Sequence, residues 1–136
     1  MENGRRCPRT APPTVAQRFL AAFQARDWEG LRDLLADDII WTMPGSGTIS
    51  GTIRGTDAVV RRARHIADQG LHTELRHGLV GAHGIALSLR NTATAPDGRR
   101  LYEHLATVLA IRHGRITAID SCLSDVDGMS AFFTAP

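Results

Sequence analysis

Apolar residues recur at helical spacing through the first half of the chain and at strand spacing through the second. Val15, Phe19, Ala22 and Phe23 make one stripe, and Thr14 with Gln17 three residues on forms a capping box that starts that helix. Asp27 can cap a second, short helix with Leu31, Leu34 and Leu35 on its buried side. "DDIIWTM" and "TISGTIRG" carry β-branched and alternating residues, so they predict two short strands. A third helix, "DAVVRRARHIADQ", is predicted to be capped by Thr56 and ended at Gly70, with Val59, Val60, Ala63, Ile66 and Ala67 on one face. From Leu71 the period becomes two. "LHTELRHGLV", "GIALSLRNTAT", "LYEHLATVLAIR" and "ITAIDSCL" read as strands joined by Gly- and Asp-containing turns, and "SDVDGMSAFF" as a closing turn or short helix. Helices first and antiparallel strands after is an α+β order, unlike the alternation of a parallel βαβ sheet.

Strand parity then selects candidate site residues. In "LYEHLATVLAI" one face holds Leu101, Glu103, Leu105, Thr107, Leu109 and Ile111, the other Tyr102, His104, Ala106, Val108 and Ala110. If the first face points inward, Glu103 is a carboxylate against an apolar wall, where desolvation raises its pKa and suits it to general acid or base work. A carboxylate at a rim, paired with an arginine, is the alternative. His77 shares a face with Leu71, Thr73, Leu75 and Leu79, as a proton-transfer group or a satisfied core histidine. Asn91 shares one with Ile85, Leu87 and Leu89, where its amide can orient a ligand or prepare the following turn. Trp41 and Met43 are candidate pocket walls, Trp41 equally a plain core residue.

Composition excludes more than it assigns. The 136 residues, 43% of them apolar, suit one domain, with residues 1–13 as a disordered tail and 14–136 as the folded unit. No apolar run approaches the roughly 18 residues of a membrane span, and the arginine-containing N-terminus has no apolar stretch after it, so a cytoplasmic location is expected. A net charge of +2 gives no case for nucleic acid, and Arg61, Arg62 and Arg64 read as the solvated face of a helix. Cys7 and Cys122 make a poor disulfide framework, and Cys122 reads as a small core residue. Six scattered histidines without metal-ligand spacing predict no metal site. "PGSGT" lacks the flanking pattern of a serine nucleophile elbow, and "WTMPGSGTISGTIRG" lacks the Gly-Lys-Ser/Thr ending of a phosphate loop; it reads instead as a hairpin whose turn caps a pocket.

"ARDWEGLRDLLADDIIW", the "PG" turn, "ISGTIRGTDAVV" and the "HGRI" turn before the last strand resemble SnoaL-like proteins of the nuclear transport factor two-like superfamily, over about residues 14 to 133. The resemblance implies a cone-shaped α+β barrel, with three N-terminal helices packed on a curved, mostly antiparallel six-stranded sheet around an apolar pocket. It also implies a hydrophobic substrate such as a polyketide, terpenoid or steroid, acid–base chemistry without a cofactor, and a homodimer through the outer sheet face. Cyclisation, isomerisation, dehydration and epoxide opening all occur on this superfold, as do non-catalytic binders. In SnoaL-like cyclases and limonene epoxide hydrolase the last strand brings an aspartate into the pocket. The matching position here is Ser121, and Asp120 reaches the pocket only if a bulge shifts the face. Ketosteroid isomerases carry an aspartate before a proline in the first hairpin, where this chain has Met43 before Pro44. The tyrosine and asparagine that hold water in limonene epoxide hydrolase correspond to Ile40 and Thr42.

Overall fold

The computed structural model describes residues 14–134; the expected tail over 1–13 and Cys7 lie outside them. Helix α1 spans Val15–Ala25, α2 Trp28–Asp33 and α3 Thr56–Ala67. The strands are β1 Leu35–Met43, β2 Gly51–Arg54, β3 His72–Val80, β4 Gly84–Thr94, β5 Arg100–Arg112 and β6 Arg115–Leu123, and α4, Val126–Thr134, follows the last of them. "SDVDGMSAFF" is therefore mostly helix, which adds a fourth to the three N-terminal ones.

Local chemistry accounts for the helix ends. The Gln17 amide N–H donates to Thr14 Oγ1 at 3.1 Å while Thr14 N donates to Gln17 Oε1 at 2.7 Å, which closes the capping box. Gly30 N donates to Asp27 Oδ1 at 3.0 Å and starts α2. At α3 the structure corrects the expected cap. Gly55, at φ +91°, is the N-cap and supplies no side chain, while the Thr56 hydroxyl lies inside the helix and accepts from Arg32 Nη1 at 3.2 Å. A positive φ at that sharp exit from β2 favours glycine.

The six strands form one sheet in the order β2-β1-β6-β5-β4-β3. All neighbours are antiparallel except β1 and β6, which run parallel. That single parallel pairing seats the last strand in the middle of the sheet and brings the first hairpin beside it. Three irregularities bend the sheet: between Leu35 and Ile40 on β1, between Leu75 and His77 on β3, and at Thr117 on β6, opposite Ala110 and Ile111. The helices cover one face. Leu31, Leu35, Ile39, Val59, Leu109 and Ile119 are among the fully buried side chains of the core. On the other face Cys122 is exposed, against the expectation of a core cysteine, because β6 turns Ser121 inward and its neighbours outward.

Arg62 departs from expectation as well. Arg61 and Arg64 are exposed, but Arg62 is buried. Its guanidinium donates to the carbonyl oxygens of Ser50 and Gly51, both at 3.1 Å, and of Trp41 at 3.5 Å, and lies 5.3 Å from the centroid of the Trp41 ring. Burial holds its pKa below the usual arginine value. The hairpin of β1 and β2 folds back over this position on α3, which no helical periodicity reveals.

Candidate active site

Between the sheet and the helices lies a pocket of about 620 Å³ of empty space, counted to its open side. Its helical wall is apolar: Phe19, Leu20 and Phe23 from α1, Ile66 from α3, and Met129 and Phe133 from α4. Its sheet wall carries every polar side chain that lines it among the described residues: Thr73 on β3, Asn91 on β4, Glu103 and Thr107 on β5, and Ser121 on β6, beside Trp41 and Met43 of β1. Leu87 pairs with Thr107, and Leu109 with Ile119 in the next inward-facing pair; all three are at most 2% exposed, which makes this the inner end. At the other end Phe23, Leu71 and Thr73 also border an open surface cleft with Gln24, Arg26 and His72.

Glu103 is the central feature. It is 2% exposed, and its Oε1 is a buried oxygen with no hydrogen-bond partner. Desolvation, and secondarily the negative charge of Asp125, push its pKa up to about 7. Asp125 stands at the start of α4, where its carboxylate accepts from Gly128 N at 2.9 Å. Asn91 faces Glu103 directly across the β4–β5 ladder, and Thr73 faces Asn91 across β3–β4. The Thr73 hydroxyl donates to Asn91 Oδ1 at 2.7 Å, which leaves the amide NH2 of Asn91 as a donor beside the carboxyl. Further in, Trp41 Nε1 donates to Ser121 Oγ at 3.0 Å, and Thr107 pairs with Ser121 across β5–β6.

Glu103, Asn91, Thr107, Ser121, Trp41 and Met43 thus meet in one pocket, and two candidates do not. His77 is exposed. The bulge between Leu75 and His77 breaks the alternation after Thr73, and β3, an edge strand, runs out beyond the helices with Leu79 59% exposed. Asp120 is exposed on the outer face, opposite Val108. A bulge does lie in this ladder, but before Ala118. It changes parity so that Ile116 is buried with Ile119 and Ser121, and Asp120 is turned outward. Sequence reasoning missed the walls contributed by Phe19, Phe23, Ile49, Met129 and Phe133. The spacing of Met129 and Phe133, one helical turn apart, was the available signal. Among the described residues no three histidine, cysteine or carboxylate side chains converge as a metal would need.

The loop 44–50 is fastened to α4 and so seats Ile49, Met129 and Phe133 together. Ser46 N donates to Ser130 Oγ at 3.2 Å and Thr48 Oγ1 to the Phe133 carbonyl at 2.8 Å. Gly47 packs so closely that an added Cβ would stand 2.9 Å from both Cα and O of Ser130. Gly47→Ala is expected to lower stability by about 1–3 kcal/mol, read as a fall in the urea midpoint, because backbone rather than a flexible side chain must give way.

A curved sheet under helices, with an apolar pocket and one desolvated carboxyl between them, defines an α+β domain of the helix-on-sheet pocket type. The model of the SnoaL-like domain matches residues 16–119, and the chain belongs to that family. Solved structures repeat its fold. Bal32a, from a soil-derived mobile gene cassette, is 24% identical, with 88% of this chain and 93% of that one covered at a TM-score of 0.82. TerC, co-crystallised with polyporic acid, is 18% identical over 82% and 90% at 0.73. Rv0760c of Mycobacterium tuberculosis, in complex with estradiol-17β-hemisuccinate, is 23% identical over 79% and 88% at 0.69. No curated protein sequence gives a significant match.

Proposed function

We propose that this protein is a cofactor-independent acid–base enzyme acting on a small hydrophobic substrate of polyketide or terpenoid type, by isomerisation or cyclisation. The observation that carries the reading is Glu103: a carboxyl in an apolar pocket, one oxygen unpartnered, with a pKa of about 7. Such a group is poised to take and return a proton near neutrality. Glu103 is also the one titratable side chain lining the pocket among the described residues. That favours chemistry in which the same group serves twice over reactions, such as epoxide opening, that use an acid and a base together. Glu103 carboxylate takes a proton from carbon next to a carbonyl, and the electron pair moves onto the carbonyl oxygen, to which Asn91 donates. The proton then returns at another carbon, giving an isomer. Alternatively the enolate carbon attacks a second carbonyl, a C–C bond forms, and the new alkoxide takes the proton back. The complexes of TerC with polyporic acid and of Rv0760c with estradiol-17β-hemisuccinate support a ring-containing ligand. The same reading includes a homodimer through the outer sheet face, where Tyr102 and Val108 are exposed.

Proton abstraction can be tested without the natural substrate. Exchange of the α-hydrogens of 2-tetralone in D2O, followed by mass spectrometry, should be accelerated by the protein and rise with pH through about 7, as Glu103 ionises. Glu103→Gln should slow it at least ~100-fold, and His77→Ala should leave it unchanged. The second reading, a ligand-binding module without catalysis, is favoured by the solitary titratable group. It is the correct one if 2-tetralone binds but exchanges equally fast with the wild type and Glu103→Gln.

A further inference from the structure

The polar groups of the pocket are not scattered over its wall. They fall on two rows of the sheet. One row is Thr73, Asn91 and Glu103, successive partners across β3, β4 and β5. The other is Thr107 and Ser121, partners across β5 and β6, with the Trp41 indole N–H donating to Ser121. Between them, on the same face, runs an apolar row of Leu89, Leu105 and Leu123, again successive partners. Glu103 and Thr107 are four residues apart on one strand, which is about 13 Å along the strand at roughly 3.3 Å per residue. The opposite wall, from α1, α3 and α4, is apolar throughout. No arginine or histidine lines the pocket among the described residues. A carboxylate or phosphate placed there would have no cation to meet and would lie in low dielectric, where an unpaired charge is strongly disfavoured.

We propose that the pocket takes an elongated, uncharged molecule with an apolar middle and an oxygen function at each end, one held at Asn91–Glu103 and the other at Thr107–Ser121. The apolar middle lies over the leucine row and under Phe19, Phe133 and Met129. The Asn91–Glu103 end lies towards the surface cleft, so a ligand enters with its other end first. That inner oxygen meets two hydroxyls, which can donate to a carbonyl or accept from a hydroxyl. This specificity rests on the cavity being the ligand site, as proposed above, and is independent of whether Glu103 transfers a proton.

Four rigid rods of one shape test it: 4,4′-dihydroxybiphenyl, 4-hydroxybiphenyl, 4,4′-dimethylbiphenyl and biphenyl-4,4′-dicarboxylate. Affinities are measured by calorimetry, and the Trp41 indole N–H resonance, assigned with Trp28→Phe, reports the inner end. The dihydroxy compound is expected to bind about tenfold more tightly than the monohydroxy one, the gain of one further hydrogen bond, and to shift the Trp41 resonance. The dicarboxylate is expected not to bind. Thr107→Val should remove the tenfold advantage and leave the monohydroxy affinity unchanged; Ser121→Ala is a second variant if Thr107→Val does not fold. Binding of the dicarboxylate as tight as that of the diol, equal affinity for diol and mono-ol, or no binding of any rod would overturn the proposal. Loss of Glu103-dependent exchange on 2-tetralone, with the rod series intact, would overturn the enzymatic reading alone.

Discussion

Glu103→Gln should raise the melting temperature of the protein at pH 9 and leave it nearly unchanged at pH 4. The direction follows from the sign of the shift. Glu103 ionises at about 7 in the folded state and near the ordinary glutamate value of 4.5 when unfolded. Below both values the group is protonated in both states and favours neither. Between them the unfolded chain loses the proton while the folded one keeps it, so stability falls as pH rises, and above about 7 the whole loss is present. The loss is about 2–3 kcal/mol, the lower figure allowing for screening by water at the open side of the pocket. For a domain of this size that is roughly 10 °C in Tm at most. Glutamine keeps the shape, carries no charge and escapes the loss. Melting curves of both proteins from pH 4 to 9 should converge at the acid end and separate through neutrality. Parallel curves would mean that Glu103 is not desolvated. Destabilisation here and proton transfer in catalysis are two effects of one cause, an apolar wall built around a carboxyl.

Arg62→Ala should lower stability by about 2–4 kcal/mol, the largest loss expected from any single arginine on α3. The buried guanidinium donates to three carbonyl oxygens, of Trp41, Ser50 and Gly51, and packs on the Trp41 ring. Truncation takes the donors from those acceptors and opens space beside the indole, whereas Arg61→Ala and Arg64→Ala act on exposed side chains. Arg62→Lys should recover only part, since an ammonium cannot span three carbonyls with a planar fork. The measurement is the urea midpoint at constant m-value, joined to amide exchange over residues 44–51, which should quicken in Arg62→Ala. Because Trp41 also donates to Ser121, the inner end of the pocket should loosen with the hairpin.

The parts of this molecule that were legible in the chain are those decided within a few residues. The capping box of Thr14 and Gln17 and the cap at Asp27 depend on neighbours three positions away. The apolar stripes of α1 and α3 depend on the helical repeat. On β4 and β5 an unbroken alternation put Asn91, Glu103 and Thr107 on the face of the leucines, and that face is the pocket wall. The motifs around "ARDWEGLRDLLADDIIW" and "HGRI" pointed to the family to which the chain belongs.

Three outcomes needed the tertiary structure. A single inserted residue in a ladder reverses every later side chain, so the bulges on β3 and in the β5–β6 ladder carry His77 and Asp120 to the surface and leave Ser121 in the pocket; alternation alone cannot locate such a residue. Arg62 is buried because a hairpin from elsewhere in the chain lies over it, and its helix shows only a basic face. The pKa of Glu103 depends on burial under walls from α1 and α4 and on Asp125, groups distant from it in the chain. The sequence by itself determined the elements, their order and the face that carries the carboxyl. Which polar groups share the pocket, and how far burial alters their chemistry, was decided by contacts between residues distant in the chain, because desolvation is a property of the whole enclosure.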